Sequence, residues 1–238
     1  MLQSTEGIIT RTVKYGESSM ILDLLTSENG IQSFIIGGIR KKGGKNRTPL
    51  IQVLNIVRVE AYIKGADKLS RIKEISYSYI YQTLPFDVLK ASIATFLIEV
   101  CRKAAKASDD FPRLYHFIVK GLIHLDQTPR DFHHFHIRFL LKMAKILGFE
   151  MTNNYGPATP IFDLRDGTFI GSRVDHRLHL DEEVSQAMHR YLKDEDFEDI
   201  PRQLRQHIVD AIVDFYDYHL EEFGTLKSLE VLKALYGN

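Results

Sequence analysis

The chain has 238 residues, of which 44% are hydrophobic and 26% charged, with 31 Lys+Arg against 31 Asp+Glu. That length allows one large or two modest domains with a sizeable core, and the balance is that of a soluble globular protein. No apolar run reaches the roughly 20 residues of a membrane span, and MLQSTEGIITR lacks the basic and apolar regions of a secretory signal. Cys101 is the single cysteine, which excludes an internal disulfide and a cysteine-cluster zinc site and suits a cytoplasmic protein.

Residues 7–83 read as β. Gly7 to Tyr15 mixes β-branched and polar residues, Gly16-Glu17-Ser18 is a turn, and Met20 to Thr26 is a mostly apolar strand. Asn29-Gly30 between two apolar runs is a strong hairpin signal, with Ile31 to Ile36 as the return strand. A basic loop follows: Arg40, Lys41, Lys42, Lys45 and Arg47, spaced by Gly43-Gly44. A long strand is expected from Leu50 to Lys64, then a turn at Gly65-Ala66-Asp67 and a fifth strand from Leu69 to Tyr77. Five short strands without a helix between them indicate a small barrel or sandwich, of the oligonucleotide-binding (OB) or SH3-like kind.

From Leu84-Pro85 the spacing becomes helical. A first helix is expected from Pro85 to near Ala107, and a second capped by Asp109-Asp110. A third is expected to be N-capped at Thr128-Pro129, with Phe132, Phe135, Phe139, Leu140, Met143 and Leu147 on its apolar stripe. Residues 149–180 break the pattern with a small hairpin turning at Asp166-Gly167. Helix resumes at Asp181, from Pro201 to about Phe223, and from Thr225 to Leu235. The fold class is therefore α+β: an N-terminal five-stranded OB-type barrel over 1–83, then a helical domain over 84–238 with a β-hairpin insertion.

The zero net charge hides an asymmetry. Residues 1–83 hold twelve Lys+Arg against seven Asp+Glu, and the remainder nineteen against twenty-four. No acidic residue lies between Glu28 and Glu60. The N-terminal part is thus the candidate for nucleic acid, with Lys14, Tyr15, Arg40, Lys41, Lys42, Lys45 and Arg47 as candidate contacts. Tyr15, beside Gly16 at a turn, is a candidate stacking platform, whereas Phe34 reads as core. A solvated basic hairpin tip is the plain alternative.

Motifs for catalysis are lacking. There is no phosphate loop, dinucleotide fingerprint or G-x-S-x-G elbow, and no cofactor is expected. His133, His134 and His136 lie within one turn of the third expected helix, and His133 and His136 can share a face. Without an HExxH spacing the plainer reading is a helix surface with one ring tucked beside Phe132, Phe135 and Phe139. His176 and His179 flank Arg177 and carry no stronger signal.

One resemblance covers nearly the whole chain. Gly7-Ile8-Ile9, the Tyr15-Gly16-Glu17 turn, Gly38-Ile39-Arg40-Lys41-Lys42, Tyr218-His219 and Leu226-Lys227-Ser228-Leu229 occur in this order. In that combination the chain resembles the RecO family of bacterial recombination mediators. The resemblance implies an OB domain on a helical body, without enzymatic activity, in the bacterial cytoplasm at the nucleoid. It implies binding of single- and double-stranded DNA and annealing of complementary strands. It further implies partnership with RecR, docking of the acidic, Phe-ending tail of single-stranded DNA-binding protein (SSB), and indirect service to RecA. Arg138, Lys142, Lys145, Arg202 and Arg205 are the candidate cations for that tail. Many members of the family bind zinc through four cysteines in the segment matching 149–180; this chain has none there, so the segment must stand without them. An RNA-binding OB protein, a peptide-binding adaptor and a histidine-based metallohydrolase are the rival readings.

Overall fold

The computed structural model describes residues 2–39, 47–64, 68–171, 176–195 and 197–237. By contact density the chain forms two compact units, 1–127 and 128–238.

In the first unit five strands close a barrel in the order β1-β2-β3-β5-β4. They are β1 (Leu2–Tyr15), β2 (Ser19–Thr26), β3 (Gly30–Ile36), β4 (Ile56–Tyr62) and β5 (Ser70–Tyr77). All pairings are antiparallel except β3 with β5. β1 serves two neighbours: residues 2–8 pair with β4 and residues 7–15 with β2. A bulge between Ile9 and Arg11 shifts the register, so Ile8, Ile9 and Thr10 are all buried instead of alternating. The Thr10 hydroxyl meets its burial by donating to the Asp23 carbonyl at 3.0 Å. Ile9, Leu22, Leu24, Phe34, Val57, Val59 and Ala61 fill the interior. Phe34 is therefore core, as its place in an apolar run suggests.

The strand expected from Leu50 to Lys64 is shorter. Pro49 starts a 3-10 turn over Thr48–Ile51, Leu54 takes φ 79°, and pairing begins only at Ile56. The Leu54 amide donates to the Ile9 carbonyl at 2.8 Å and so ties this turn to the barrel wall. At the β2–β3 turn, Gly30 has φ 63°, and a Cβ there would stand 2.7 Å from the Phe111 ring.

Two helices complete this unit. In α1 (Val88–Ala104) the Asp87 side chain caps the amides of Leu89 and Lys90; in α2 (Phe111–Gln127) Asp110 accepts from the Arg113 amide at 3.0 Å. Leu114, Ile118, Leu122 and Leu125 are the buried stripe of α2. Asp126, wholly buried, organises the segment that joins β5 to α1. Its carboxylate accepts the Gln82, Thr83 and Leu84 amides at 2.7–3.1 Å and the Tyr79 hydroxyl at 2.9 Å. Burial pushes its carboxyl up, but those backbone bonds outweigh burial and hold it below the ordinary value. The buried Lys90 ammonium joins this cluster, donating to Thr83 Oγ1 at 2.8 Å and the Asp126 carbonyl at 3.0 Å.

In the second unit the described helices are α3 (Phe135–Ile146), α4 (Glu182–Lys193), α5 (Arg202–His219) and α6 (Lys227–Gly237). The third helix starts later than Thr128-Pro129, because Asp131 takes φ 60° and turns the chain; His134 is the N-cap. Phe139, Leu140 and Met143 face inward, and the buried Tyr216 hydroxyl donates to the Leu140 carbonyl at 2.8 Å. Asp181 caps α4 through the Val184 amide at 2.8 Å.

The inserted hairpin pairs β6 (Ile161–Asp163) with β7 (Thr168–Ile170), turning through Gly167 at φ 64°. Phe162 and Phe169 pack edge to face at 4.8 Å. The Leu164 and Leu180 amides donate to the Leu178 and Phe162 carbonyls, so residues 178–180 strap the hairpin. Asp163, 1% exposed, accepts His176 Nε2 at 3.1 Å and the Arg165 amide at 2.7 Å. The donors here do not fit a structural zinc: no cysteine is present, and Asp163 is already engaged by the chain. Among the described residues no three His, Cys, Asp or Glu side chains converge to hold a metal.

Candidate nucleic-acid interface

One end of the barrel opens into a cavity of about 370 Å³. Lys14 and Thr12 reach it from the end of β1, Glu17 and Ser18 from the β1–β2 turn, Ser19 from the start of β2, Thr48 from the 3-10 turn and Gln52 from just after it. Ile39 and Ile51, both buried, line it as well. The Ile39 amide donates to the Ser18 carbonyl at 3.1 Å, which pins the end of the β3 arm to the turn. Hydroxyl and amide groups on this rim can donate to phosphate oxygens, and the apolar lining can accept the face of a base.

Lys14 and Tyr15 sit opposite Met20 and Ser19 in the β1–β2 ladder. Tyr15 is 55% exposed, and Lys14 has no ion pair among the described residues. By contrast Arg11 pairs with Asp23 at 3.5 Å and Arg58 with Glu6 at 2.7 Å, so those two cations are engaged. Arg47 is half-buried at the start of the 3-10 turn. Arg40, Lys41, Lys42 and Lys45 lie outside the described residues. Ile39, just before that stretch, and Thr48, just after Arg47, both line the mouth. The structure thus brings Lys14 to the mouth and leaves Tyr15 exposed at the adjoining strand end. Sequence reading misses the rim of Thr12, Ser18, Ser19, Thr48 and Gln52, because Thr48 to Gln52 looks like the approach to a strand.

In the helical unit the candidate cations divide. Arg138 and Lys142 both pair with Asp194, at 2.7 and 3.6 Å, and Lys145 pairs with Glu150 at 2.7 Å. Arg202 and Arg205 line a groove whose walls include Val209, Leu229 and Leu232, with His136 and Lys233, which pairs with Asp210 at 2.7 Å, beside them.

Of the histidine cluster, His133 is exposed while two rings, not the one expected, are tucked in. They are His134 and His136, 9% and 4% exposed. His134 Nδ1 lies 2.6 Å from the Tyr191 hydroxyl, and its ring packs on Phe197 at 5.2 Å. Burial, then Arg205, push His134 down to about 4; burial, then His134 and Arg205, push His136 down to about 3. Both are neutral packing groups near pH 7. Helical periodicity could have flagged His136, which falls on the same stripe as Phe139 and Met143.

Fold and mouth together define a protein built on an OB-type small barrel with an attached helical unit. No described helix is long and apolar enough to cross a membrane. Residues 1–81 match the family model described as "Recombination protein O N terminal", and residues 85–230 the one described as "Recombination protein O C terminal". The DNA repair protein RecO of Phocaeicola vulgatus is 32% identical over 242 residues, covering 99% of this chain and 100% of the relative. Its counterpart in Bacteroides fragilis is 29% identical over 99% of this chain and 100% of the relative. That of Porphyromonas gingivalis is 25% identical with the same coverage. The chain belongs to the RecO family of DNA repair proteins.

Proposed function

We propose that the protein is a non-enzymatic recombination mediator that binds single- and double-stranded DNA at the barrel mouth and anneals complementary strands. The observation carrying this reading is the open mouth: Lys14, without an ion pair among the described residues, exposed Tyr15 and a rim of hydroxyl groups beside Glu17 lie next to Ile39 and Thr48, which flank the basic stretch Arg40 to Arg47. Cations there neutralise phosphates and lower the repulsion between two strands, while contacts to phosphate carry no base information. Affinity therefore falls steeply with salt and varies little with sequence. Lys14→Ala with Tyr15→Ala, and separately Arg40→Ala with Lys41→Ala and Lys42→Ala, should each weaken binding of a labelled oligonucleotide at low salt by about tenfold or more without changing the circular dichroism spectrum. Unchanged affinity in both variants would reject the site.

The helical unit would serve protein partners. The groove beside Arg202 and Arg205 combines cations with an apolar wall, the chemistry that suits the acidic, Phe-ending SSB tail. Partnership with RecR and delivery of strands to RecA complete the proposed role.

A further inference from the structure

The outer face of α2 carries cations and imidazole rings with no acid among them. Arg113, His116, Lys120, His124 and Gln127 recur at three and four, so they share one narrow stripe, opposite the buried Leu114, Ile118, Leu122 and Leu125. All five are exposed. The only acidic residue in the α2 sequence is Asp126, which is buried and consumed by the segment after β5. A solvated helix face mixes signs, because opposite charges three or four residues apart support the helix. This face instead sets Lys120 four residues from both His116 and His124. Arg113 and Lys120 have no ion pair among the described residues. The nearest carboxylates in sequence, Asp109 and Asp110, stand ahead of the helix, where Asp110 accepts the Arg113 amide.

Both ends of α2 are anchored at the end of the barrel away from the mouth. Gly30, Thr26, Gly7, Val57 and Tyr77 form one row across the strands. Phe111, which starts α2, has its ring against Gly30, and Asp126 near the other end binds residues 79–84, just past Tyr77. Beside the mouth, Val13, Ile21, Ile35 and Arg71 form another row. The two rows lie five or six residues apart on each of β1, β2, β3 and β5, about 17–20 Å at a strand rise near 3.3 Å per residue. The stripe stands on the far side of α2 from its buried face, and a helix is about 10 Å across.

We propose that the Arg113–His124 stripe is a second track for single-stranded DNA, with Arg113 and Lys120 on phosphates and the His116 and His124 rings against bases. The proposal rests on reading the barrel mouth as the first such site. From Arg113 to His124 the helix rises about 16 Å at 1.5 Å per residue. A strand carries one charge per about 3.4 Å of its axis, so roughly five phosphates lie along the stripe. Cations alternate with rings there, and a ring that stacks on unpaired bases accepts any of them, the property a mediator without sequence preference needs. Strands at opposite ends of the barrel stand about two screening lengths apart or more at physiological salt, so one does not strongly repel the other. Each molecule then carries a pair of strands to be matched.

The test titrates the full-length protein with a short labelled oligonucleotide of mixed sequence, well above its dissociation constant, so that the endpoint counts strands per molecule. Annealing rates of complementary strands are measured in parallel. The wild type should take up two strands. Arg113→Ala with Lys120→Ala should take up one and anneal roughly tenfold more slowly, at low salt and with an unchanged thermal melt. Arg113→Lys with Lys120→Arg keeps both charges and should match wild type in every readout. Two strands still bound by the alanine double variant would overturn the proposal. So would a wild type that takes up one strand, lost in Lys14→Ala/Tyr15→Ala and kept in Arg113→Ala/Lys120→Ala, a result that leaves the mouth reading intact. A single strand lost only in the α2 variant supports the stripe and rejects the mouth. A wild type that binds no strand would overturn both.

Discussion

Removing the Asp126 carboxylate should destabilise the first unit severely. Asp126→Ala strips the acceptor from the amides of Gln82, Thr83 and Leu84, bonded at 3.1, 2.8 and 2.7 Å, and from the Tyr79 hydroxyl. A buried donor left without a partner costs about 1–3 kcal/mol. Water entering the vacated space recovers part of that, so about 3–5 kcal/mol is expected, the scale of breaking a buried charged site. Asp126→Asn retains one oxygen for the amides and should lose about 1–2 kcal/mol. Urea denaturation followed by circular dichroism measures both. The pH dependence supplies a second signature. The folded carboxyl is held below its ordinary 3.8, so the charged form stabilises the fold above that pH. That contribution fades as pH falls below 3.8 through the depressed value. Asp126→Asn should lack this acid limb. A loss under about 1 kcal/mol for Asp126→Ala near pH 7 would refute the assignment of Asp126 as the organiser of residues 79–84.

Other outcomes follow from single contacts. Gly30→Ala combines a positive φ with a Cβ set 2.7 Å from Phe111, and should lower stability by about 1–3 kcal/mol in a thermal melt. Tyr216→Phe removes one buried hydroxyl bond and leaves the Leu140 carbonyl short of it, costing about 1–2 kcal/mol by the same measurement. His134 and His136 have folded values of about 4 and 3, below the 6.5 of the unfolded chain. Their stabilising effect is complete above pH 6.5 and is lost as pH falls from there towards 4, at up to about 1.4 kcal/mol per pH unit for each ring. Unfolding of His136→Gln across that window should show a flatter slope. His176→Ala should speed proteolysis within 149–180, with His176→Gln restoring part of the protection.

Much of the barrel is legible in the sequence because period-2 alternation and Asn29-Gly30 are local signals, and three of the five strands fall where they predict; β1 starts at Leu2, five residues before the expected Gly7. β4 departs in its first half. Ile51 and Val53 keep the alternation, but Pro49 and the positive φ of Leu54 override it. Tertiary bonds to Ile9 make that turn favourable, and nothing local announces them. The candidate cations are visible as a charge asymmetry, yet which of them are free depends on carboxylates distant in sequence. Arg138 and Asp194 are 56 residues apart, and Arg58 and Glu6 are 52 apart. The cluster of Asp126 and Lys90 is invisible for the same reason: its partners converge from α1, α2 and the segment after β5. Periodicity says only that a residue lies on a helix face, not that a carboxylate there binds three amides of another segment.

The Asp163–His176 contact closes the inserted hairpin without a metal. One His–Asp hydrogen bond and two strap hydrogen bonds tie the hairpin to residues 176–180 with groups of the polypeptide alone. Where four thiolates would need a metal supply and a reducing milieu, this clasp needs neither. Oxidants and chelators that dismantle a cysteine-held knuckle would find nothing in it to attack.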